Sequence, residues 1–217
     1  MTKKIAVILS GCGFLDGAEI HESVLTLLNL DLLNISYQCF SVDIDQTDVV
    51  NHLTGEASHE KRNVLVESAR IARGSVKNIS ELVACDFDAL ILPGGYGVAK
   101  NLSDFATKGA AMHVPEAVLK ACQAFATNRK PIGLICIAPA LAGKIYGEPV
   151  KCTIGNDEQT ATALEQMGVK HQSCAVNDIV IDEKHKLVTT PAYMLANRIS
   201  EAAEGIAKLV KQVIALT

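Results

Sequence analysis

The chain contains no tryptophan, few other aromatic residues and no excess of positive charge. Aromatic side chains make up 4% of the 217 residues, and 20 Lys and Arg are outnumbered by 24 Asp and Glu, which gives a net charge of −4. Proteins that bind nucleic acids need a basic surface for the phosphates and often aromatic rings for the bases. We therefore predict no nucleic-acid partner.

No two cysteines are close enough in sequence to form a C-x-x-C motif. The seven cysteines are scattered, and the nearest pair, Cys122 and Cys136, lies fourteen residues apart. This spacing excludes zinc-ribbon and thioredoxin-type motifs, and we predict no metal and no cofactor. Unpaired cysteines are typical of a reducing compartment. The five apolar residues after Lys3 and Lys4 are too few for a secretory signal, so the sequence predicts a cytoplasmic protein.

Long apolar runs are also missing. A membrane span needs roughly 18–20 consecutive apolar residues, and no segment approaches that length, so we predict no membrane partner. Hydrophobic residues make up 49% of the chain and charged residues 20%, which is an ordinary balance for a globular protein. The length and the lack of a linker-like composition favour one domain over residues 1–217.

Short apolar runs alternate with helical patterns from one end of the chain to the other. Strands are predicted at 4–9, 37–42, 89–92, 131–137 and 179–189, and helices at 19–32, 62–72, 115–126, 158–167 and 198–215. The first helix carries an apolar stripe formed by Ile20, Val24, Leu27 and Leu28. The alternation predicts an α/β sandwich with a mostly parallel sheet, and a polar turn at 182–185 predicts a hairpin late in the chain.

Unusual residues follow three of the predicted strands, at 10–13, 92–97 and 135–139. Ligands of open α/β sheets bind at the carboxyl ends of the strands, so the functional residues should converge there. The first segment continues as a G-x-G-x-x-x-G pattern over 11–17, one residue longer than the dinucleotide-binding fingerprint. We interpret it as a glycine turn that enters a helix and expect no effect of NAD or FMN on stability.

Cys136 is the candidate nucleophile. It ends a buried strand, and Pro139 suits the first turn of a following helix, which is the setting of a nucleophile at a sharp strand-to-helix turn. The alternative is a cysteine that only packs in an apolar strand. A free thiol has a pKa of about 8.5, and lowering it to about 6 needs roughly 3.4 kcal/mol. A helix N-terminus supplies at most about 2 kcal/mol, so a further hydrogen-bond donor is required.

Two glutamates at the start of the first helix are candidates for that donor. Glu19 and Glu22 could simply stabilise the helix N-terminus. A protonated carboxyl at either position could instead donate to the sulfur of Cys136. Gly94 and Gly95 likewise have a plain role as a turn after a strand, or a functional one in which a backbone N–H faces a developing oxyanion.

These segments resemble a known superfamily. Residues 8–22, 92–95 with 101–102, and 133–139 are similar to the ThiJ/PfpI superfamily, which is related to class I glutamine amidotransferases. Residues 51–65 and 189–194 resemble one branch, the ElbB-type glyoxalases, also called isoprenoid biosynthesis proteins with an amidotransferase-like domain. The resemblance implies a flavodoxin-like three-layer sandwich, a homodimer, Cys136 as nucleophile, Glu22 as its acidic partner, and backbone N–H groups of Gly95 and Ile137 as the oxyanion pocket. Glu19 and Gly94 would support the site.

The same resemblance implies a glyoxalase that needs neither metal nor glutathione. Cys136 would add to a small aldehyde or dicarbonyl such as glyoxal, Glu22 would move a proton between the two carbons, and hydrolysis would give glycolate. A redox-sensing or binding module that uses the same cysteine is the alternative.

The chain also departs from other members of the superfamily. Ile137 stands where the proteases carry His, no late H-x-E sequence is present for a glutaminase, and Ile154-Gly155 replaces the His of deglycase-type members. We therefore expect neither peptidase nor glutaminase activity. His21, His113, His171 and His185 could reach the site in three dimensions, but we interpret each as a solvated surface residue.

Overall fold

A computed structural model describes residues 3–217 of the chain. Its strands are β1 (Lys4–Ile8), β2 (Ser36–Ser41), β3 (Val49–Val50), β4 (Ala57–Ser58), β5 (Val76–Asn78), β6 (Ala89–Leu92), β7 (Ile132–Ile135), β8 (Lys151–Cys152), β9 (Lys170–His171), β10 (Val180–Asp182) and β11 (Leu187–Thr190). Its helices are α1 (Ile20–Leu32), α2 (Val64–Ile71), α3 (Tyr96–Lys100), α4 (Phe105–Lys108), α5 (Glu116–Thr127), α6 (Ala142–Tyr146), α7 (Glu158–Gln166) and α8 (Ile199–Leu216).

Seven strands form a central sheet in the order β10-β11-β7-β6-β1-β2-β5. Neighbouring strands run parallel, except that β10 and β11 form an antiparallel hairpin. Every residue of β6, β7 and β11 is buried, as parallel strands covered by helices on both faces must be. The predicted α/β flavodoxin-like sandwich and its late hairpin are confirmed.

The predicted long strand over 179–189 is two short strands joined by a turn, as the polar residues at 182–185 indicated. The sequence reading missed β5 and two small sheets, β3 with β4 and β8 with β9. Strands of two or three residues are too short to show an alternating pattern, so the periodicity on which the prediction rested could not detect them.

Most of the apolar stripe of α1 does not face the core, although Leu27 is partly buried and packs against it. Ile20, Val24 and Leu28 are each more than two-fifths exposed, whereas Glu22 is fully buried. The buried face is mostly polar and consists of Glu22, Ser23, Thr26 and Leu30. The Thr26 hydroxyl donates to the carbonyl oxygen of Glu22 at 2.7 Å, so this buried polar group is satisfied within the helix. The helix is thus turned to aim a carboxyl, rather than its apolar stripe, at the sheet.

Within residues 3–217, none of the helices has both the length and the apolar character that a membrane crossing requires.

Candidate active site

Cys136 lies in the sharp turn between β7 and the 3-10 segment Ala138–Leu141. Its φ of 61° is unusual for a residue other than glycine. Its N–H donates to the carbonyl oxygen of Thr190 at 3.0 Å, which ties this turn to the end of the adjacent strand β11. A strained turn held by a neighbouring strand fixes the side chain above the sheet, as in a nucleophile elbow.

Glu22 reaches the same point from α1 and has no exposed surface. Its Oε2 accepts the N–H of Gly94 at 2.8 Å and its Oε1 accepts the N–H of Tyr193 at 3.1 Å. The carboxyl also lies close enough to the Cys136 thiol for each group to shift the pKa of the other. The structure therefore brings Cys136 and Glu22 side by side, with three elements of the fold holding the carboxyl in place.

Burial controls the ionisation of this pair. It raises the pKa of Glu22 to about 8; the Glu19 carboxyl adds to the rise, and the N–H groups of Tyr193 and Gly94 oppose it. Burial and the charge of Glu22 also raise the pKa of the Cys136 thiol well above its usual value. At neutral pH the resting pair is a thiol beside a protonated carboxyl. The protonated carboxyl agrees with the sequence reasoning, whereas the thiol has no lowered pKa.

Two backbone N–H groups face the sulfur. They belong to Gly95 and Ile137, and both act to lower the pKa of Cys136. Gly95 has a φ of 96°, and a Cβ there would lie 2.4 Å from the carbonyl oxygen of Gly17. A Cβ on Gly94 would lie 2.5 Å from the Cβ of Cys136 and 2.8 Å from Oε2 of Glu22. Only glycine allows the two loops to approach this closely.

The turn after β11 is a part of the site that the sequence reasoning missed. Ala192 has a φ of 43°, and the following N–H, of Tyr193, is the one bonded to Glu22. The Tyr193 hydroxyl is 2.8 Å from Nδ1 of His21. The rule that ligands bind at the carboxyl ends of strands would have found this turn, had it been applied to the strand that ends at Thr190.

Glu19 has a structural role and a position in the site. Its Oε2 accepts the N–H of Glu22 at 2.6 Å, so it caps α1. It also lines a cavity of about 740 Å³ that opens over Cys136, Gly95 and Ile137. Burial raises the pKa of Glu19. Glu22 lies behind the sulfur, whereas Glu19 faces the space in front of it.

In the part of the chain that the structure describes, no group of three or more His, Cys, Asp or Glu side chains could hold a metal ion.

Three backbone N–H groups of the turn over 11–17 already have partners within the protein. The N–H of Gly13 donates to the carbonyl oxygen of Ala18, that of Gly17 to the carbonyl oxygen of Gly13, and that of Gly11 to the Ser68 hydroxyl. These contacts favour the glycine-turn interpretation of that segment.

The histidines divide into different environments. His21 approaches the site through Tyr193, as described. The surface interpretation is wrong for His185, whose side chain is 7% exposed and lies 3.0 Å from both Asp182 and Glu148 at the β10–β11 hairpin. Among residues 3–217, no histidine side chain lines the cavity over Cys136.

Curated relatives match almost the whole chain. It is 42% identical over 224 residues to the rat (Rattus norvegicus) ES1 protein homolog, mitochondrial, covering 99% of this chain and 84% of the relative. It is 41% identical to the human (Homo sapiens) glutamine amidotransferase-like class 1 domain-containing protein 3, mitochondrial, covering 99% and 83%. The zebrafish (Danio rerio) ES1 protein, mitochondrial, is 32% identical, covering 98% and 86%. No family model matches the chain.

Solved structures also match almost the whole chain. An isoprenoid biosynthesis protein with an amidotransferase-like domain from Ehrlichia chaffeensis is 37% identical, superposes with a TM-score of 0.94 and covers 99% of both chains. A ThiJ/PfpI domain protein from Brachyspira murdochii superposes with a TM-score of 0.62 at 16% identity, covering 100% of this chain and 99% of that one. The second likeness shows the fold alone.

The predicted cytoplasmic location is wrong. All three curated relatives carry the word mitochondrial in their names, which points away from the cytoplasm. The prediction rested on unpaired cysteines, and these indicate a reducing compartment without specifying which one.

Proposed function

Because the chain belongs to the class 1 glutamine amidotransferase-like (ThiJ/PfpI) superfamily, which contains enzymes, we propose that it is a cysteine-dependent, metal-independent glyoxalase. The observation that carries the proposal is the contact between Cys136 and the fully buried Glu22 beneath a cavity. A nucleophile next to a group that can accept its proton, with two N–H groups that can stabilise an oxyanion, is suited to addition to a carbonyl carbon.

The first step is addition of the sulfur to an aldehyde carbon. The thiol proton passes to the ionised form of Glu22 as the carbon–sulfur bond forms. Glu22 then gives that proton to the former carbonyl oxygen, which yields a hemithioacetal and leaves Glu22 ionised for the next step. The N–H groups of Gly95 and Ile137 stabilise the negative charge that develops on that oxygen. A carboxyl with a pKa of about 8 is a stronger base than an ordinary glutamate, and its pKa lies near that required for proton transfer at neutral pH.

The second step moves a proton between the two carbons of the dicarbonyl. Glu22 removes the proton from the carbon bonded to sulfur and returns a proton to the neighbouring carbon. The hydroxyl proton of the hemithioacetal moves to the oxygen of that neighbouring carbon, which leaves a thioester of a hydroxy acid. Water then hydrolyses the thioester and the thiol is regenerated. The balance is one dicarbonyl and one water to one hydroxy acid. The aldehyde carbon is oxidised and its neighbour is reduced, so no outside electron carrier is needed.

Turnover of glyoxal to glycolate by metal-free protein tests this proposal. The wild-type protein should produce glycolate without glutathione in the presence of a chelator. The absence of glycolate, or a requirement for glutathione or added metal, would contradict the proposal.

A redox-sensing role for the same cysteine is the alternative. Thiol oxidation follows thiolate character and exposure, whereas Cys136 is 7% exposed and burial raises its pKa. These observations support turnover over sensing. After mild peroxide treatment, mass spectrometry should find Cys136 oxidised no more than the exposed Cys85. Selective oxidation at Cys136 without turnover would support sensing instead.

We also propose that the protein forms a homodimer through α1. The exposed stripe of Ile20, Val24, Leu28 and Leu32 repeats every four residues along one face of that helix. A two-fold axis would pair this stripe with itself and bury it. Val24→Glu should shift the sedimentation coefficient to that of a monomer, whereas Lys120→Glu on the exposed face of α5 should not. A wild-type monomer would contradict the proposal.

A further inference from the structure

The cavity over Cys136 is larger than a two-carbon substrate requires. Its volume of about 740 Å³ falls within the range of roughly 300–1,000 Å³ that is usual for pockets holding drug-sized ligands. Glyoxal would fill only the part next to the sulfur. The remaining space is available to a longer substrate.

The lining of this space is mostly apolar and aromatic. The rings come from four residues on four different loops and helices, namely Phe14, Tyr96, Phe105 and Tyr193. Ile137, Met194 and, from α7, Ala163 add apolar surface to the lining. Such a surface stabilises an apolar group by removing it from water and packs flat rings against rings.

The charged groups of the cavity are both acidic. They are Glu19, beside the sulfur, and Asp157, which caps α7 by accepting the N–H of Thr160 at 2.7 Å. Within the described residues, no Lys, Arg or His side chain lines the cavity. Two lysines next to the cavity are already paired with carboxylates: Lys108 is 2.7 Å from Asp104, and Lys100, whose ammonium also lies over the ring of Tyr96, is 2.8 Å from Asp48. An anion entering the cavity would therefore meet negative charge with no unpaired lysine to offset it.

We propose, on the basis of the glyoxalase function above, that the substrate is a 2-oxoaldehyde with an uncharged apolar body about the size of an aromatic ring. The aldehyde end meets Cys136, and the body occupies the space between α7 and the aromatic side chains. Anionic aldehydes are excluded by Glu19 and Asp157. The hydroxy acid formed by the reaction is itself an anion, so the same two carboxylates favour its release.

Three aldehydes separate size from charge: glyoxal, phenylglyoxal and 4-carboxyphenylglyoxal. Phenylglyoxal should have a kcat/KM at least about tenfold above that of glyoxal, because its ring gains apolar contact, and a similar factor above its carboxylated analogue, whose charge the two acidic groups repel. Equal kcat/KM values for glyoxal and phenylglyoxal, or for the two aromatic substrates, would overturn the proposal.

Two variants test whether the preference for apolar, uncharged substrates arises in the cavity. Asp157→Asn keeps a capping side chain but removes the charge, and should narrow the gap between phenylglyoxal and 4-carboxyphenylglyoxal. Ala163→Phe should fill the apolar space and remove the advantage of phenylglyoxal over glyoxal. Thr162→Phe places the same ring on the exposed face of α7 and should change neither ratio. Unchanged ratios in both cavity variants would contradict the assigned positions.

Alkylation of Cys136 tests the charge selection without any turnover. Rates with neutral iodoacetamide and anionic iodoacetate are compared in the folded protein and in the urea-unfolded chain. The folded protein should favour iodoacetamide by about tenfold more than the unfolded chain does, and Asp157→Asn should reduce that preference. An identical preference in both states would overturn the charge selection. If no aldehyde is turned over, the proposed function fails, and the alkylation rates alone then decide whether the cavity excludes anions.

Discussion

Cys12 and Cys136 both follow a parallel strand at the edge of the sheet where the carboxyl ends meet, after β1 and β7 respectively. Burial raises the pKa of each thiol, and a buried glutamate contributes to each rise, Glu67 for Cys12 and Glu22 for Cys136. By position and neighbouring residue types, the two cysteines look alike.

The partners of the two glutamates differ. Glu67 is paired with Arg70 at 2.9 Å and lies 3.6 Å from Arg62, so its carboxylate is engaged by cations. Glu22 has only backbone N–H groups and the thiol as partners, and its pKa is raised to about 8. Two N–H groups and a cavity also face Cys136, whereas Cys12 lines neither of the two cavities described. We therefore expect Cys136, whose glutamate has no cationic partner and a raised pKa, to react through that carboxyl, and Cys12 not to.

Replacing each of the two cysteines in turn should give the largest difference in turnover between the two sites. Cys136→Ala should reduce glyoxal turnover by at least about a thousandfold, because a nucleophile cannot be replaced by binding alone. Cys12→Ala should leave the rate within about twofold, because nothing connects Cys12 to the cavity. Glycolate formation measures both. Undiminished turnover in Cys136→Ala, with normal folding by circular dichroism, would end the assignment.

A smaller loss of turnover is expected when Gly94, which packs against both Cys136 and Glu22, is replaced. Gly94→Ala should lower turnover by about a hundredfold, because the new methyl group would displace Cys136 and Glu22 from each other. It should also lower the free energy of unfolding by about 1–3 kcal/mol.

Gly147→Ala is the matched control. Gly147 has a φ of 64° and open space around it, so the variant should lose about 1 kcal/mol of stability or slightly more without losing turnover. Equal turnover in the two variants would show that the close approach at Gly94 has no role in the reaction.

A third effect is on the pH dependence of stability. The pKa of Glu22 is about 8 in the folded protein and near 4.5 when unfolded, so the folded state binds its proton more tightly. This contribution is fully present below about pH 4.5 and is lost as pH rises to about 8. Glu22→Gln should remove that decline between pH 5 and pH 8.5 in urea unfolding.

The slope, rather than the stability at one pH, is the informative quantity for this variant. Both carboxyl oxygens of Glu22 accept backbone N–H groups, and glutamine offers only one oxygen, so Glu22→Gln should be less stable at every pH at which wild-type Glu22 is protonated. A decline that persists unchanged in the variant would show that Glu22 is not the group responsible.

The sequence predicted the layers of the fold because its strands are buried on both faces and its long helices are flanked by glycine, proline and polar residues. It predicted Cys136 from one strand end and proposed Glu22 by resemblance. It could not predict that α1 turns its apolar stripe outward, since the periodicity of Ile20, Val24 and Leu28 reports a stripe without saying which face meets the sheet.

The electrostatics of the site were the least predictable part. The raised thiol pKa depends on how completely α1, the loop at Gly94 and the turn at Tyr193 enclose the sulfur, and these segments are far apart in sequence. The hydrogen bond from Tyr193 spans 171 residues to Glu22. Contacts between segments so far apart leave no pattern in the local sequence.

The rate of alkylation by iodoacetamide as a function of pH tests the Cys136–Glu22 pair most directly. In the wild-type protein, alkylation of Cys136 should rise through about pH 8, as Glu22 becomes able to accept the thiol proton. In Glu22→Gln the rise near pH 8 should disappear, because no carboxyl is left to accept the proton. Alkylation should then follow ionisation of the thiol itself, whose pKa burial, the largest cause, still raises. Glu67→Gln should leave the Cys136 profile unchanged and move that of Cys12 to lower pH, since the charge of Glu67 raises the pKa of Cys12. The same Cys136 profile in the wild-type protein and in Glu22→Gln would contradict the account.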